Sequence, residues 1–264
     1  MEAKEAITNG LVDPFADVRG VYFDLDDTLC GYWDAAKAGL KATFEEWEVP
    51  SCPLEEMLDH WAAAFREFCP SLKRLGWYES YLADSSTTRT ELMRLALLRA
   101  GVDNADLAAH FSQRYMELRD RSLSLFPDAI ELLDRIGPRL PLGLITNGPA
   151  DLQRMEISTL QIEGRFAHIF IEGELGRGKP DPEVFSAAST AMGLEPQQIL
   201  FVGNSYGHDI RPAIEAGWKT AWIRRPSDVP PSVRGVLALP EELPTGGATP
   251  DVIVTDLRDL IKTS

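Results

Sequence analysis

The sequence has few cysteines, a deficit of positive charge and no long apolar run, and each shortage argues against a class of protein. Three cysteines are too few and too odd in number for a disulfide framework, which favours a reducing compartment. The formal net charge of −15 argues against general nucleic-acid binding and against docking on anionic membranes. No apolar run approaches the roughly 20 residues of a membrane span, and the first residues lack the basic-then-apolar order of a signal peptide. We therefore expect a cytoplasmic protein with neither nucleic acid nor membrane as a partner.

What is present is the composition of an ordinary globular protein. The chain has 264 residues, of which 44% are hydrophobic and 25% charged, enough for one large domain or two modest ones. Its excess of acidic residues would repel an anionic substrate at long range. Any anionic substrate therefore needs a local positive site.

Residues 20–29 hold the most informative stretch. An apolar run after Gly20 predicts a buried strand over residues 20–24, and it leads into Asp24, Asp26 and Asp27. In an extended chain, residues i and i+2 point to the same side, so Asp24 and Asp26 would face one space at the end of the strand. Two close carboxylates favour a cation, and Mg²⁺ takes one or two of them together with a substrate phosphate. The alternative is a solvated acidic turn.

Beyond residue 121 the pattern alternates between strands and helices, which predicts a parallel sheet. Residues 32–121 are instead helical in character, with helices predicted over 34–47 and 105–121. Pro53 is expected in the first turn of another helix, and residues 88–91 form a capping-box pattern. This block is too long for a simple crossover and is predicted to be an inserted domain. The strands are predicted over residues 20–24, 141–145, 168–171, 198–202, 219–223 and 251–254, with a long loop over 225–250.

Two further polar groups follow predicted strands. Thr146, Asn147 and Gly148 offer hydroxyl, amide and backbone donors at the start of a helix, which favours binding of an anion such as phosphate. Lys179 lies in a loop constrained by glycine and proline, where its ammonium could neutralise a phosphoryl oxygen. The alternative for Lys179 is a solvated surface side chain.

The last polar group, Asn204 and Asp209, follows the strand predicted to end at Val202 and offers oxygen ligands for a hard metal. Asp209 could instead cap a helix over residues 210–216. Taken together, these side chains suit phosphoryl transfer. Asp24 would attack phosphorus, Asp26 would protonate the leaving alcohol and then activate water, and Thr146 and Lys179 would hold the phosphoryl oxygens.

These four motifs, in this order, resemble those of the haloacid dehalogenase-like hydrolase superfamily, chiefly its phosphatase branch. The resemblance extends from Gly20 to about Leu260. It implies an α/β fold with a Rossmann-like, three-layer parallel-sheet core, formed by residues 1–31 and 122–264. Residues 32–121 would be a mobile cap made of an α-helical bundle, which closes over small substrates.

The resemblance also assigns roles. It implies that Asp24 is the nucleophile, Asp26 the general acid and base, and Thr28 a supporting residue of the substrate site. It assigns phosphate binding to Thr146, and to Lys179 the orientation of nucleophile and phosphate. Mg²⁺ would be bound by the Asp24 side chain, the Asp26 backbone carbonyl, Asn204 and Asp209.

One position departs from the family pattern. Asn204 stands where an aspartate is usual, so one negative charge is lost and weaker Mg²⁺ binding is expected. The sequence thus predicts a Mg²⁺-dependent phosphatase of a small phosphorylated metabolite. A phosphomutase needs the same residues and remains an alternative, as does a non-catalytic binding or regulatory protein. A dehalogenase is disfavoured because that branch has no use for a second aspartate.

Overall fold

A six-stranded parallel sheet forms the centre of the protein. The computed structural model describes residues 14–46, 52–227, 229–232, 239 and 241–262. The strand order is β3-β2-β1-β4-β5-β6. Successive strands are therefore added on one side of β1 up to β3 and on its other side from β4 onward. Such a switch point opens a crevice at the carboxyl ends of the strands. The strands are β1 (Gly20–Phe23), β2 (Leu142–Thr146), β3 (His168–Ile171), β4 (Ile199–Gly203), β5 (Lys219–Ile223) and β6 (Val252–Val254).

Helices cover the sheet and also form a block between β1 and β2, which we call the helical block and define as α1 to α5. None of the helices that the structure describes has the length and apolarity needed to cross a bilayer. A π-helical turn follows β4 over Tyr206–Ile210. The α-helices are α1 (Tyr32–Glu46), α2 (Leu54–Phe68), α3 (Tyr78–Ala83), α4 (Ser85–Arg99), α5 (Ala105–Ser122), α6 (Pro127–Ile136), α7 (Ala150–Thr159), α8 (Glu172–Leu175), α9 (Pro182–Met192) and α10 (Arg211–Glu215).

The two faces of the sheet bury different side chains, as the alternation along a strand requires. Val21 and Phe23 pack with α6 and α7, whereas Tyr22 packs with α9. The helical block has a hydrophobic cluster of its own, which includes Met93 and Phe111. The predicted fold class is therefore confirmed: a three-layer α/β core with an inserted helical bundle.

The predicted strands are confirmed with ends within one residue, and β3 and β5 have the predicted ends. The capping box predicted over residues 88–91 is wrong, because α4 begins earlier. Asp84 caps it by accepting a hydrogen bond from the Ser86 N–H at 2.8 Å. Pro53 precedes α2 as its N-cap residue, one position before the first turn. Trp47, where α1 was expected to end, lies outside the described residues.

Candidate active site

Side chains from the carboxyl ends of β1, β2 and β4 and from the loop before α9 share one cavity of about 790 Å³. The helical block closes its other side with half-buried aromatic residues. These aromatic residues pack against the hydrophobic cluster of the helical block and also face the cavity. The polar lining includes Asp24, Asp26, Thr146, Lys179, Asn204 and Asp209, and the aromatic lining includes Trp33, Phe65, Tyr78 and Tyr81.

The ammonium group of Lys179 joins two of the predicted carboxylates. Its Nζ lies 2.6 Å from Asp24 Oδ1 and 2.6 Å from Asp209 Oδ1, and the Lys179 side chain is only 2% exposed. Burial opposes the charge on Lys179, but Asp209 and Asp24 outweigh it, so the pKa of Lys179 lies above its usual value. The solvated-lysine alternative is therefore wrong.

Two buried carboxylates share this single ammonium, so the cluster keeps an excess of negative charge. Burial raises the pKa of Asp24 to about 7; Lys179 opposes the increase and the like charge of Asp209 adds to it. A nucleophilic carboxylate has to be ionised at working pH. A cation bound beside Asp24 would favour that ionised form.

Asp26 belongs to a second buried network, which lies on the side of the cavity toward α7. Its Oδ2 accepts a hydrogen bond from Gln153 Nε2 at 3.0 Å. Burial raises the pKa of Asp26, although the Gln153 hydrogen bond and the charge of Arg119 oppose the increase. Burial and the adjacent Asp26 raise the pKa of Glu156 well above its usual value. A raised pKa favours the protonated form of Asp26, which a general acid requires.

Asn147 and Gly148 line the cavity, and each donates a hydrogen bond to another part of the protein. Asn147 Nδ2 donates to the Lys179 carbonyl oxygen at 2.6 Å, and its Oδ1 accepts from the Lys179 N–H at 2.8 Å. The Gly148 N–H donates to Glu172 Oε2 at 3.0 Å, and the Tyr78 hydroxyl donates to the other oxygen of Glu172. Asn147 thus holds the lysine loop against the end of β2, and phosphate binding by Asn147 and Gly148 stays a prediction.

Thr28 and Asp209 each form a hydrogen bond with the segment that follows β4. The Thr28 hydroxyl is fully buried and donates to Asn204 Oδ1 at 3.2 Å, so it positions this amide and is not among the described residues that line the cavity. Asp209 Oδ2 accepts from the Ser205 N–H at 2.9 Å. Gly203 permits this fold-back, because a Cβ there would lie 2.5 Å from Asp209 Oδ2. The reading of Asp209 as a helix cap is wrong, since Ser205 caps the π-helical turn.

The oxygen atoms of the cavity fit a hard divalent cation. Asp24 and Asp209 line the cavity with carboxyl groups and Asn204 with an amide, and the resemblance adds the Asp26 backbone carbonyl. Within the described ranges, no group of three His, Cys, Asp or Glu side chains is arranged to hold a metal. A cation here would depend on the amide and the carbonyl as well. Mg²⁺ accepts such a set because it keeps several waters and needs only one or two carboxylates.

Sequence reasoning missed three residues of the Asp26 network: Gln153, Glu156 and Arg119. Arg119 Nη1 lies 2.8 Å from Glu156 Oε1, with both side chains buried. The available signal was spacing, because Gln153 and Glu156 share the face of α7 that carries the buried Ile157. Polar side chains at core positions of a helix need a buried partner.

Comparison with known proteins gives one family and several relatives. A family model described as haloacid dehalogenase-like hydrolase matches residues 21–223. Phosphoserine phosphatase of Thermus thermophilus is 32% identical over 237 residues, 87% of this chain and 84% of that protein. N-acylneuraminate-9-phosphatase of Rattus norvegicus is 26% identical over 220 residues, 81% and 85% of the two chains. The structure of a HAD-hydrolase of Bacillus subtilis bound to magnesium has a TM-score of 0.65 and is 20% identical in sequence. The match covers 92% of this chain and 96% of that one, and it concerns the fold alone.

Proposed function

The chain belongs to the haloacid dehalogenase-like hydrolase family, and from this premise we propose that it is a Mg²⁺-dependent phosphatase of a small phosphorylated metabolite, acting through an aspartyl-phosphate. The observation that carries the proposal is the position of Lys179 Nζ, 2.6 Å from both Asp24 and Asp209. A buried ammonium between two carboxylates orients an acidic nucleophile. It also offers positive charge to an incoming phosphoryl group in a protein of high negative charge.

In the first half-reaction, a carboxylate oxygen of Asp24 attacks phosphorus and forms a new P–O bond. The bond from phosphorus to the leaving oxygen breaks, and Asp26 gives its proton to that oxygen, so the product leaves as an alcohol. Lys179 holds phosphoryl oxygens while the charge shifts. The Thr146 hydroxyl would join it only after turning from Gln153 Oε1, to which it donates at 2.6 Å in this structure. The raised pKa of Asp26 supports its role as the acid.

In the second half-reaction, water attacks the phosphorus of the aspartyl-phosphate. Asp26, now a carboxylate, takes a proton from this water, the bond between phosphorus and the Asp24 oxygen breaks, and inorganic phosphate leaves with Asp24 regenerated. The Asp24 and Asp209 carboxylates, the Asn204 amide oxygen and the Asp26 carbonyl would hold Mg²⁺. When bound, this ion offsets negative charge between phosphate and carboxylate.

The domain organisation is part of the proposal. Residues 1–31 and 122–264 would form the catalytic core, and residues 32–121 a cap over it. The separate hydrophobic cluster of the helical block supports this division. Aromatic side chains of the block line the cavity opposite Asp24, where the leaving group would bind. The names of the two phosphatase relatives denote small phosphomonoesters, which supports a substrate of that class.

A phosphate-release screen tests the function. The purified protein is assayed with phosphoserine, N-acylneuraminate 9-phosphate, phosphoglycolate and other phosphorylated metabolites, in Mg²⁺ and after treatment with EDTA. We expect release in Mg²⁺, a loss of roughly 100-fold or more in EDTA, and recovery when Mg²⁺ returns. Release that ignores EDTA, or none from any compound, would contradict the proposal. Transfer between a sugar phosphate and its bisphosphate without release would indicate a phosphomutase.

Asn204 provides a test of the metal site. The change Asn204→Asp restores a negative oxygen ligand, and the Thr28 hydroxyl can donate to it as it does to the amide. We expect the Mg²⁺ concentration for half-maximal activity to fall roughly tenfold, about 1.4 kcal/mol of binding free energy. The matched control is Asn104→Asp, at the exposed N-cap of α5, which should leave it unchanged. An Asn204→Asp variant with the wild-type Mg²⁺ requirement would refute this assignment.

A further inference from the structure

Gln153 is buried beside the cavity, and all hydrogen-bonding groups of its amide are used. Its Oε1 accepts from the Thr146 hydroxyl at 2.6 Å. Its Nε2 donates one hydrogen to Asp26 Oδ2 and the other to Glu156 Oε2, both at 3.0 Å. With this orientation the amide nitrogen faces two carboxyl groups and the amide oxygen faces a hydroxyl, so each polar atom of Gln153 has a partner. Gln153 therefore links the predicted acid and the predicted phosphate-binding hydroxyl directly.

The buried pair of Glu156 and Arg119 fixes the position of Gln153. Glu156 accepts from Gln153 and pairs with Arg119 at 2.8 Å, and the two charged side chains are 0% and 1% exposed. Arg119 comes from α5, so the pair crosses from the sheet domain to the helical block. Gly39 of α1 brings the two helices together, because a Cβ at this position would lie 2.8 Å from the Arg119 backbone nitrogen. Separation would leave the buried Arg119 guanidinium without its partner, so the pair tolerates little displacement.

We propose that Gln153 is a positioning residue for the general acid, holding the Asp26 carboxyl toward the leaving oxygen, and that the Glu156–Arg119 pair sets its position from the helical block. The inference rests on the proposed function. The Asp26 carboxyl is also hydrogen-bonded to the adjacent Glu156, and its Oδ1 has a weak contact with the Cys30 thiol at 3.8 Å. Gln153 donates to both carboxyl groups, so it restrains how Asp26 is turned both directly and through Glu156.

A pair of esters with different leaving groups separates this role from a structural one. The 4-nitrophenolate of 4-nitrophenyl phosphate leaves almost without help, whereas the alkoxide of benzyl phosphate needs a proton. The two esters have rings of similar size and the same phosphate. Their kcat/KM values report the transfer to Asp24 and not the later attack of water. A misplaced acid should therefore slow benzyl phosphate selectively.

The test compares Gln153→Met, close in volume and without the amide, with Gln113→Met, the same change at an exposed position of α5. We expect Gln153→Met to lower kcat/KM for benzyl phosphate roughly 100-fold and for 4-nitrophenyl phosphate less than about fivefold. Gln113→Met should change neither. Equal losses with both esters, or no loss, would overturn the proposal.

A second variant covers the case in which Gln153→Met does not fold, which thermal unfolding reports. Glu156→Gln keeps the volume and an oxygen acceptor for Gln153, so a smaller difference of the same sign is expected. Equal losses in this variant would also overturn the proposal. Failure of the proposed function is recognised separately, as wild-type protein that releases phosphate from neither ester in Mg²⁺.

Discussion

The change Asp24→Asn is expected to lower metal-dependent phosphate release roughly 10⁴-fold or more, without lowering the stability of the protein. The amide is a poor nucleophile, so the aspartyl-phosphate cannot form. Stability should not fall, because Asp24 is one of two buried carboxylates that share a single ammonium. Burial already raises its pKa to about 7, so a neutral side chain of the same shape removes an unfavourable charge and leaves Lys179 paired with Asp209.

The measurement is phosphate release together with thermal unfolding of both proteins in EDTA. Asp27→Asn is the matched control, because Asp27 is buried in the same loop and its Oδ1 accepts from the Trp33 N–H at 3.2 Å, a contact that an amide oxygen can keep. We expect the control to lose less than about tenfold. An Asp24→Asn protein that retained a tenth of the wild-type rate would remove Asp24 from the reaction.

The second large effect is expected from Lys179→Met, which should impair both folding and activity. Removing the ammonium leaves two buried carboxylates without their shared cation, which costs about 3–5 kcal/mol of unfolding free energy near pH 8. Loss of the positive charge toward the phosphoryl group should lower the rate by roughly 10³-fold. The control Lys41→Met removes an exposed lysine on α1, and about 0.5 kcal/mol or less is expected there.

The loss of stability in Lys179→Met should depend on pH. Without Lys179, the pKa of Asp24 in the folded state rises above the already raised wild-type value of about 7. A carboxyl whose pKa is higher in the folded state stabilises the fold at low pH, and this contribution is lost as the pH rises through the folded pKa. The deficit of the variant, measured by urea unfolding in EDTA, should therefore shrink between pH 8 and pH 5. A deficit independent of pH would show that the two carboxylates are not its cause.

Much of the site could be predicted from the sequence, because parallel strands bring their carboxyl ends to one edge. This rule places Asp24, Lys179 and Asp209 together before any coordinates are known, although Asp24 and Lys179 are 155 positions apart. A strand followed by a turn can be recognised in the sequence without knowledge of tertiary contacts. The fold class follows for the same reason, since alternating strands and helices determine a parallel sheet.

What could not be predicted depends on which polar groups satisfy one another after folding. Asn147 has the composition of a phosphate-binding turn, yet its amide holds the Lys179 backbone. In the sequence, Gln153 and Glu156 resemble ordinary helix residues. Their partner Arg119 lies on a helix distant in the chain, so this pairing could not be predicted. The capping box at residue 88 failed because Asp84 offers an equally good cap upstream, and Ser85 also contacts Asp151 of α7 at 2.8 Å.

The central position of β1 in the sheet has a consequence for how the protein folds. Gly20–Phe23 pairs on one side with β2 and on the other with β4, whose residues 199–203 are synthesised far later. Closing such large loops costs entropy that only the finished sheet repays. Asp24 therefore acquires its surroundings at the end of folding. Recovery of activity after denaturation should lag behind the return of helical circular dichroism.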